Sequence, residues 1–174
     1  MEILKSQRES AKKRWSEFFE SDKPRILVGA ATCGRAAGAL DVMEEFKKEL
    51  SAAGISDKVE LVETGCLGLC YAEPLVEIRA CGTPSVLYSN VSPKDVAKLV
   101  KEHVVGGNAV REKAEAVMSD AEYDGIVPFK KHPMVELQKR VVLRNCGVIN
   151  PDDFWHYLAR GGYEGLERAF SMSP

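Results

Sequence analysis

Three of the five cysteines in this 174-residue chain could act together. Cys66 and Cys70 form a C-x3-C pair in Gly65-Cys66-Leu67-Gly68-Leu69-Cys70, a glycine-rich loop after the apolar run Val59-Glu60-Leu61-Val62-Glu63. Two thiolates at this spacing can face one metal centre, because glycines let the backbone curl around it without Cβ clashes. Cys33 closes a second apolar run, in Ile26-Leu27-Val28-Gly29-Ala30-Ala31-Thr32-Cys33. If both runs are strands and parallel neighbours, three sulfurs converge at one end of a sheet. The chemistry would be that of an iron–sulfur site.

The elements that must position these sulfurs can be read from periodicity. Ile26-Leu27-Val28 is short, apolar and β-branched, as a buried strand requires. Residues 36–53 carry apolar side chains at helical spacing through Leu40, Val42, Met43, Phe46 and Leu50, and Gly54 caps them. Val59–Glu63 and Leu75-Val76-Glu77-Ile78-Arg79 alternate as strands do. Gly82-Thr83-Pro84 turns the chain into Ser85-Val86-Leu87-Tyr88. Ser92-Pro93-Lys94-Asp95 opens a helix with an N-cap and proline at the first helical position, and its buried face would hold Val96, Leu99, Val100 and Val104. A β-α-β unit, a β-hairpin and a helix follow in that order.

Residues 1–24 are expected to be an amino-terminal helix anchored by Leu4, Trp15, Phe18 and Phe19, stopped at Pro24. Residues 25–106 form the α/β domain, and 107–132 a linker with a short helix at 109–118 and a polar connector at 119–131. The last part, 133–174, begins with an extended segment at 139–144. Asn150-Pro151-Asp152-Asp153 then reads as the cap, proline and acidic first turn of a helix ending at Gly161-Gly162. A final helix would run from about Tyr163 to Phe170.

A formal net charge of −2 gives no electrostatic reason to bind nucleic acid or an anionic membrane. No apolar run approaches the ~20 residues of a transmembrane helix. The start, Met1-Glu2-Ile3-Leu4-Lys5, lacks a signal-peptide layout. An odd number of cysteines fits a reducing compartment better than a disulfide framework, so a cytoplasmic location is expected.

Residues 25–103 resemble the thioredoxin-like [2Fe-2S] ferredoxin domain found in NADH dehydrogenases and fused to related flavoproteins. Val142-Leu143-Arg144-Asn145-Cys146-Gly147, Pro151 and Ala159-Arg160-Gly161-Gly162-Tyr163 resemble the entry of the NADH-binding flavoprotein subunit of complex I, bifurcating hydrogenases and NAD-linked formate dehydrogenases. Their order is that of the fused hydrogenase-type flavoprotein subunits. The resemblance implies a thioredoxin-like fold (β-α-β-β-β-α) with an amino-terminal helix and a small, mostly helical extension. It also implies one-electron transfer within a multi-subunit redox complex. FMN, NAD and a further iron–sulfur cluster are expected only in a flavin-binding remainder whose glycine-rich loop would follow Pro174. The chain thus reads as an amino-terminal fragment or a split-gene product, unable to hold flavin or reduce NAD alone.

The same resemblance implies four cysteine ligands for a [2Fe-2S] cluster. Cys66 and Cys70 match one pair and Cys33 the inner member of the other. The outer position falls at Val28 or Gly29, and neither is a ligand. Cys81 lies one strand length, about 20 Å, from the cluster loops and is no substitute. Cys146 reads as a small buried hydrophobe. Three readings stay open: a cluster on Cys33, Cys66 and Cys70 with a substitute fourth ligand; a cluster-free docking module; and zinc or a Cys66–Cys70 disulfide.

Other residues favour plain roles. Gly34-Arg35-Ala36-Ala37-Gly38 could bind an anion, yet close helix–strand packing explains its glycines. His103, His132 and His156 have no ligand spacing. Trp15, Phe18 and Phe19 could face a partner or form a core, and Lys130-Lys131-His132 reads as a solvated basic patch.

Overall fold

The computed structural model describes residues 2–19 and 21–173. The elements are α1 (Glu2–Phe19), β1 (Arg25–Gly29), α2 (Thr32–Ala36), α3 (Ala39–Ala52), β2 (Glu60–Thr64), β3 (Val76–Arg79), β4 (Val86–Tyr88), α4 (Pro93–Leu99), β5 (Ala114–Val117), α5 (Phe154–Ala159) and α6 (Glu164–Phe170). They form two compact units, Asp22–Val148 and a second made of Met1–Ser21 with Ile149–Pro174. No helix among the described residues is long and apolar enough to cross a membrane.

The first unit is built on a five-stranded sheet in the order β2-β1-β3-β4-β5. β1 and β2 are parallel, with Gly29 opposite Thr64. β3 runs antiparallel to β1, with Val28 opposite Val76 and Arg25 opposite Arg79. One face carries Ile26, Val28, Ile78, Val86 and Tyr88 under Phe46 of α3 and Leu99 of α4, all buried. That burial repays the backbone ordering that such short strands could not sustain alone. The α4 face matches the sequence pattern: Val96, Leu99, Val100 and Val104 are all buried, and the Ser92 amide donates to Asp95 Oδ2 at 2.8 Å. The opposite face is covered by Leu67, Leu69, Ala72 and Phe129 packed on Leu75, Leu87 and Ala116. Loops and short 3-10 turns close this second face.

Several sequence expectations change here. The helix expected over 36–53 is interrupted at Gly38, whose φ of +96° separates α2 from α3. The short helix expected at 109–118 is a 3-10 turn at Arg111–Lys113 followed by β5, so the expected linker supplies the fifth strand. Its Ala, Glu and Lys residues favour helix locally, but the open edge of β4 takes Val117 and Ala116 into registered pairs and buries both fully. The extended segment expected at 139–144 forms no strand, and residues 142–148 are turns. Residues 133–148 belong to the sheet unit rather than to a separate tail. The cap expected at Asn150 falls at Asp153, whose Oδ1 accepts from the Trp155 amide at 2.7 Å and the His156 amide at 3.3 Å.

The helical unit packs α1 against α5. Trp15 stacks on Phe19 at 3.8 Å, and Trp15 and Phe18 lie 5.1 and 5.6 Å from the His156 ring. Arg8 Nη1 reaches Glu167 Oε2 at 2.6 Å. The aromatic residues of α1, each partly buried, thus pack around His156 within this small unit.

Candidate metal centre

Parallel pairing of β1 and β2 sends the chain out of both strands at the same end of the sheet. Four residues beyond Gly29 lies Cys33, in the first turn of α2; two residues beyond Thr64 lies Cys66. β3 starts at that end as well, so Cys70 and the segment leading into Val76 share it. Cys81 leaves the sheet at the opposite end, where Arg79 pairs with Arg25, and its thiol donates to the Asp22 carbonyl at 3.0 Å.

Alternation shapes the Cys66–Cys70 loop. Leu67 and Leu69 point into the second core and are buried, which leaves Cys66 partly exposed and Cys70 exposed. Gly68, with φ +92°, turns its amide onto Cys66 Sγ at 3.2 Å. The two sulfurs stand 3.7 Å apart and are free thiols. A disulfide needs about 2.05 Å. A metal–thiolate bond of about 2.3 Å with a tetrahedral angle puts two sulfurs on one metal about 3.8 Å apart. The observed spacing fits a shared metal. Burial pushes the Cys66 thiol up to about 11; the Gly68 amide opposes this, and Cys70 and Glu73 add to it. A metal would therefore displace a proton on binding.

Cys33 is exposed on the neighbouring loop. Its helix is tied back by Arg35, which donates to the Ala30 carbonyl at 2.7 Å and pairs with Glu63 of β2. Gly34 is there because nothing larger fits: a Cβ on it would lie 2.1 Å from the Gly29 carbonyl oxygen. Close packing thus accounts for this glycine. The structure unites Cys66 and Cys70 as a pair and sets Cys33 on the adjacent loop. Among the described residues no three His, Cys, Asp or Glu side chains converge on one ion, so the arrangement is not a compact mononuclear site. A two-iron cluster divides its four ligands between two metals, and these three thiols would supply three of the four.

Two neighbours of this loop escaped the sequence reading. Glu73, three residues after Cys70, is 94% buried between the loops, since its relative exposure is 6%. Its Oε2 accepts from the Leu75 amide at 2.8 Å, and its Oε1 has no hydrogen-bond partner. Burial raises the Glu73 carboxyl above the usual carboxylate range, against the pull of the Leu75 amide and the Cys66 thiol. The second is the segment before Val148. Arg140 Nη2 donates to the Leu67 carbonyl at 2.6 Å, and Gly147 packs so closely on Leu67 that a Cβ would lie 2.3 Å from its Cδ2. Cys146, expected to be a buried hydrophobe, is partly exposed, and a Cβ on Gly65 would sit 3.9 Å from its Cα. The turn over residues 142–148 places it there.

No family model matches the chain. It is 35% identical over 109 residues to the NADP-reducing hydrogenase subunit HndB of Solidesulfovibrio fructosivorans, covering 63% of this chain and 84% of that protein. It is 33% identical over 72 residues to a 2Fe-2S ferredoxin of Clostridium pasteurianum, covering 41% of this chain and 68% of the ferredoxin. A 37-residue stretch is 46% identical to the hydrogenase subunit HndC of S. fructosivorans and spans 8% of it. A thioredoxin-like [2Fe-2S] ferredoxin from Aquifex aeolicus overlays with a TM-score of 0.49 and 19% identity, over 57% of this chain and 96% of that one. Aligned at this identity over most of both HndB and the clostridial ferredoxin, the chain belongs to the 2Fe-2S ferredoxin family.

Proposed function

We propose that the chain is the electron-transfer module of a multi-subunit, NADH- or NADP-linked flavin and iron–sulfur oxidoreductase, with Cys33, Cys66 and Cys70 as cluster ligands. The observation that carries this reading is the 3.7 Å spacing of Cys66 and Cys70 at the sheet end that also bears Cys33. A [2Fe-2S] cluster supplies reversible one-electron storage. The protein's part is to hold sulfur in place and tune it. Leu67 and Leu69 anchor the loop in the core, the Gly68 amide donates to Cys66 Sγ, and the Arg140 guanidinium holds the Leu67 carbonyl. Amides donating to thiolate sulfur stabilise the more negative, reduced state. Exposure of Cys33 and Cys70 keeps the site at the surface, where an electron partner can approach.

A docking surface lies on the segment that Arg140 ties to the loop: Leu137 and Val142 are 94% and 91% exposed. Apolar side chains this open suit burial against another subunit. FMN and NAD would be held by a different part of the complex.

The test is an anaerobic redox titration of the full chain with electron paramagnetic resonance. A reversible one-electron step giving about one unpaired spin per two irons is expected. Iron-free protein without a signal, still folded, would instead favour a docking module without a cluster.

A further inference from the structure

The [2Fe-2S] reading leaves one ligand short, and the resemblance places the gap at Val28 or Gly29. Val28 is fully buried in the helix-covered core and cannot be the site of a ligand. Gly29 is different. A Cβ built on it would lie 3.1 Å from Glu73 Oε2 and 3.3 Å from Oε1. The space a cysteine at position 29 would enter is filled by a carboxylate. The same oxygen lies 3.2 Å from the Cβ position of Gly34, the residue beside Cys33. Glu73 itself follows Cys70 by three residues and so leaves the second cysteine loop. One carboxylate thus touches the surroundings of both cysteine loops.

Its burial sharpens the point. A carboxyl group that is 94% buried with an unpartnered oxygen costs free energy unless something binds it. The Leu75 amide holds Oε2 and fixes the side chain, leaving Oε1 free. A ligating carboxylate has this arrangement, with one oxygen held by a neighbouring donor and the other left open.

Resting on the cluster reading, we propose that Glu73 is the fourth ligand, so that the centre is held by three thiolates from Cys33, Cys66 and Cys70 and one carboxylate oxygen from Glu73. The carboxylate brings the lone pair and single negative charge that a thiolate would bring, and any proton it carries leaves to water on binding. Cys146 is the rival donor. Its backbone lies beside Gly65, away from Gly29, where the missing ligand should stand.

The test is iron X-ray absorption on the anaerobically prepared full chain, beside Glu73→Cys, Glu73→Gln and Cys146→Ser. The wild type is expected to need one oxygen at about 2.0 Å for every two irons, beyond its sulfur shell. Glu73→Cys keeps the irons and loses that oxygen. Glu73→Gln loses at least half of its iron while its circular dichroism stays native, and Cys146→Ser changes neither. A two-iron wild type with a sulfur-only shell, or one whose cluster depends on Cys146 and not on Glu73, overturns this ligand and leaves the electron-transfer reading standing. Iron-free wild type overturns both.

Discussion

At one end of the sheet Cys33, Cys66 and Cys70 leave β1 and β2 among crowded glycines, with a buried carboxylate between the loops. At the other end Cys81 follows β3, exposed, with its thiol on the Asp22 carbonyl and an open glycine beside it: a Cβ on Gly82 would meet nothing within 4 Å. Sequence composition does not distinguish these ends, since both pair a cysteine with a glycine. Packing does. At the first end glycines keep space clear that backbone and Glu73 then fill, and a polar group is desolvated without a full set of partners. A lone surface cysteine has none of this.

That contrast can be broken by adding one methyl group at each end. In Gly34→Ala the new Cβ meets the Gly29 carbonyl at 2.1 Å, so β1 or α2 must shift. A loss of about 3 kcal/mol or more in urea unfolding is expected, the upper range for overpacking. At Gly82 the space is open and only the φ of +70° opposes a side chain, so Gly82→Ala should cost about 1–2 kcal/mol. Equal losses would remove the distinction between a crowded and an open end.

Between these two in size lies an acid effect at the level of the cysteine end, where Tyr88 pairs with Val76. The Tyr88 hydroxyl accepts from the Val110 amide at 3.2 Å and shares a hydrogen bond with His103 Nδ1, 2.7 Å away. His103 Nε2 is buried without a hydrogen-bond partner. Burial lowers the His103 pKa from 6.5 to about 4. As pH falls from 6.5 to about 4 the unfolded chain binds a proton that the folded chain refuses. Stability present at neutral pH is then lost across that window, on the order of 3 kcal/mol. Urea melts at pH 7 and pH 4.5 measure it, and His103→Asn should lose this share of the acid sensitivity. Identical acid losses in both proteins would show that His103 does not couple the fold to pH.

Much of this was legible in the sequence, and the failures have physical causes. The alternation of 59–63, the apolar run at 26–28 and the helical spacing of Val42, Phe46 and Leu50 are local signals, and they gave β1, β2 and α3. The parallel pairing that gathers the cysteine loops entered as a condition on the β-α-β order, and β1 and β2 meet it. Exclusion of Cys81 followed from strand length alone. β5 was missed because Ala114-Glu115-Ala116-Val117 has no strong strand preference, and the decision belongs to the free edge of β4. Arg140 meets Leu67 across 73 residues, which no local pattern reveals. Glu73 looked like any glutamate before a proline. Its spacing in C-x3-C-x2-E, set beside the missing cysteine near Gly29, was the available clue.

Iron content with the visible spectrum, on anaerobically purified wild type, Cys66→Ser and Cys81→Ser, tests the central claim most directly. About two irons per chain and a [2Fe-2S] spectrum are expected in wild type and Cys81→Ser, with both lost in Cys66→Ser. A folded wild type without iron, or iron that survives Cys66→Ser unchanged, would contradict it.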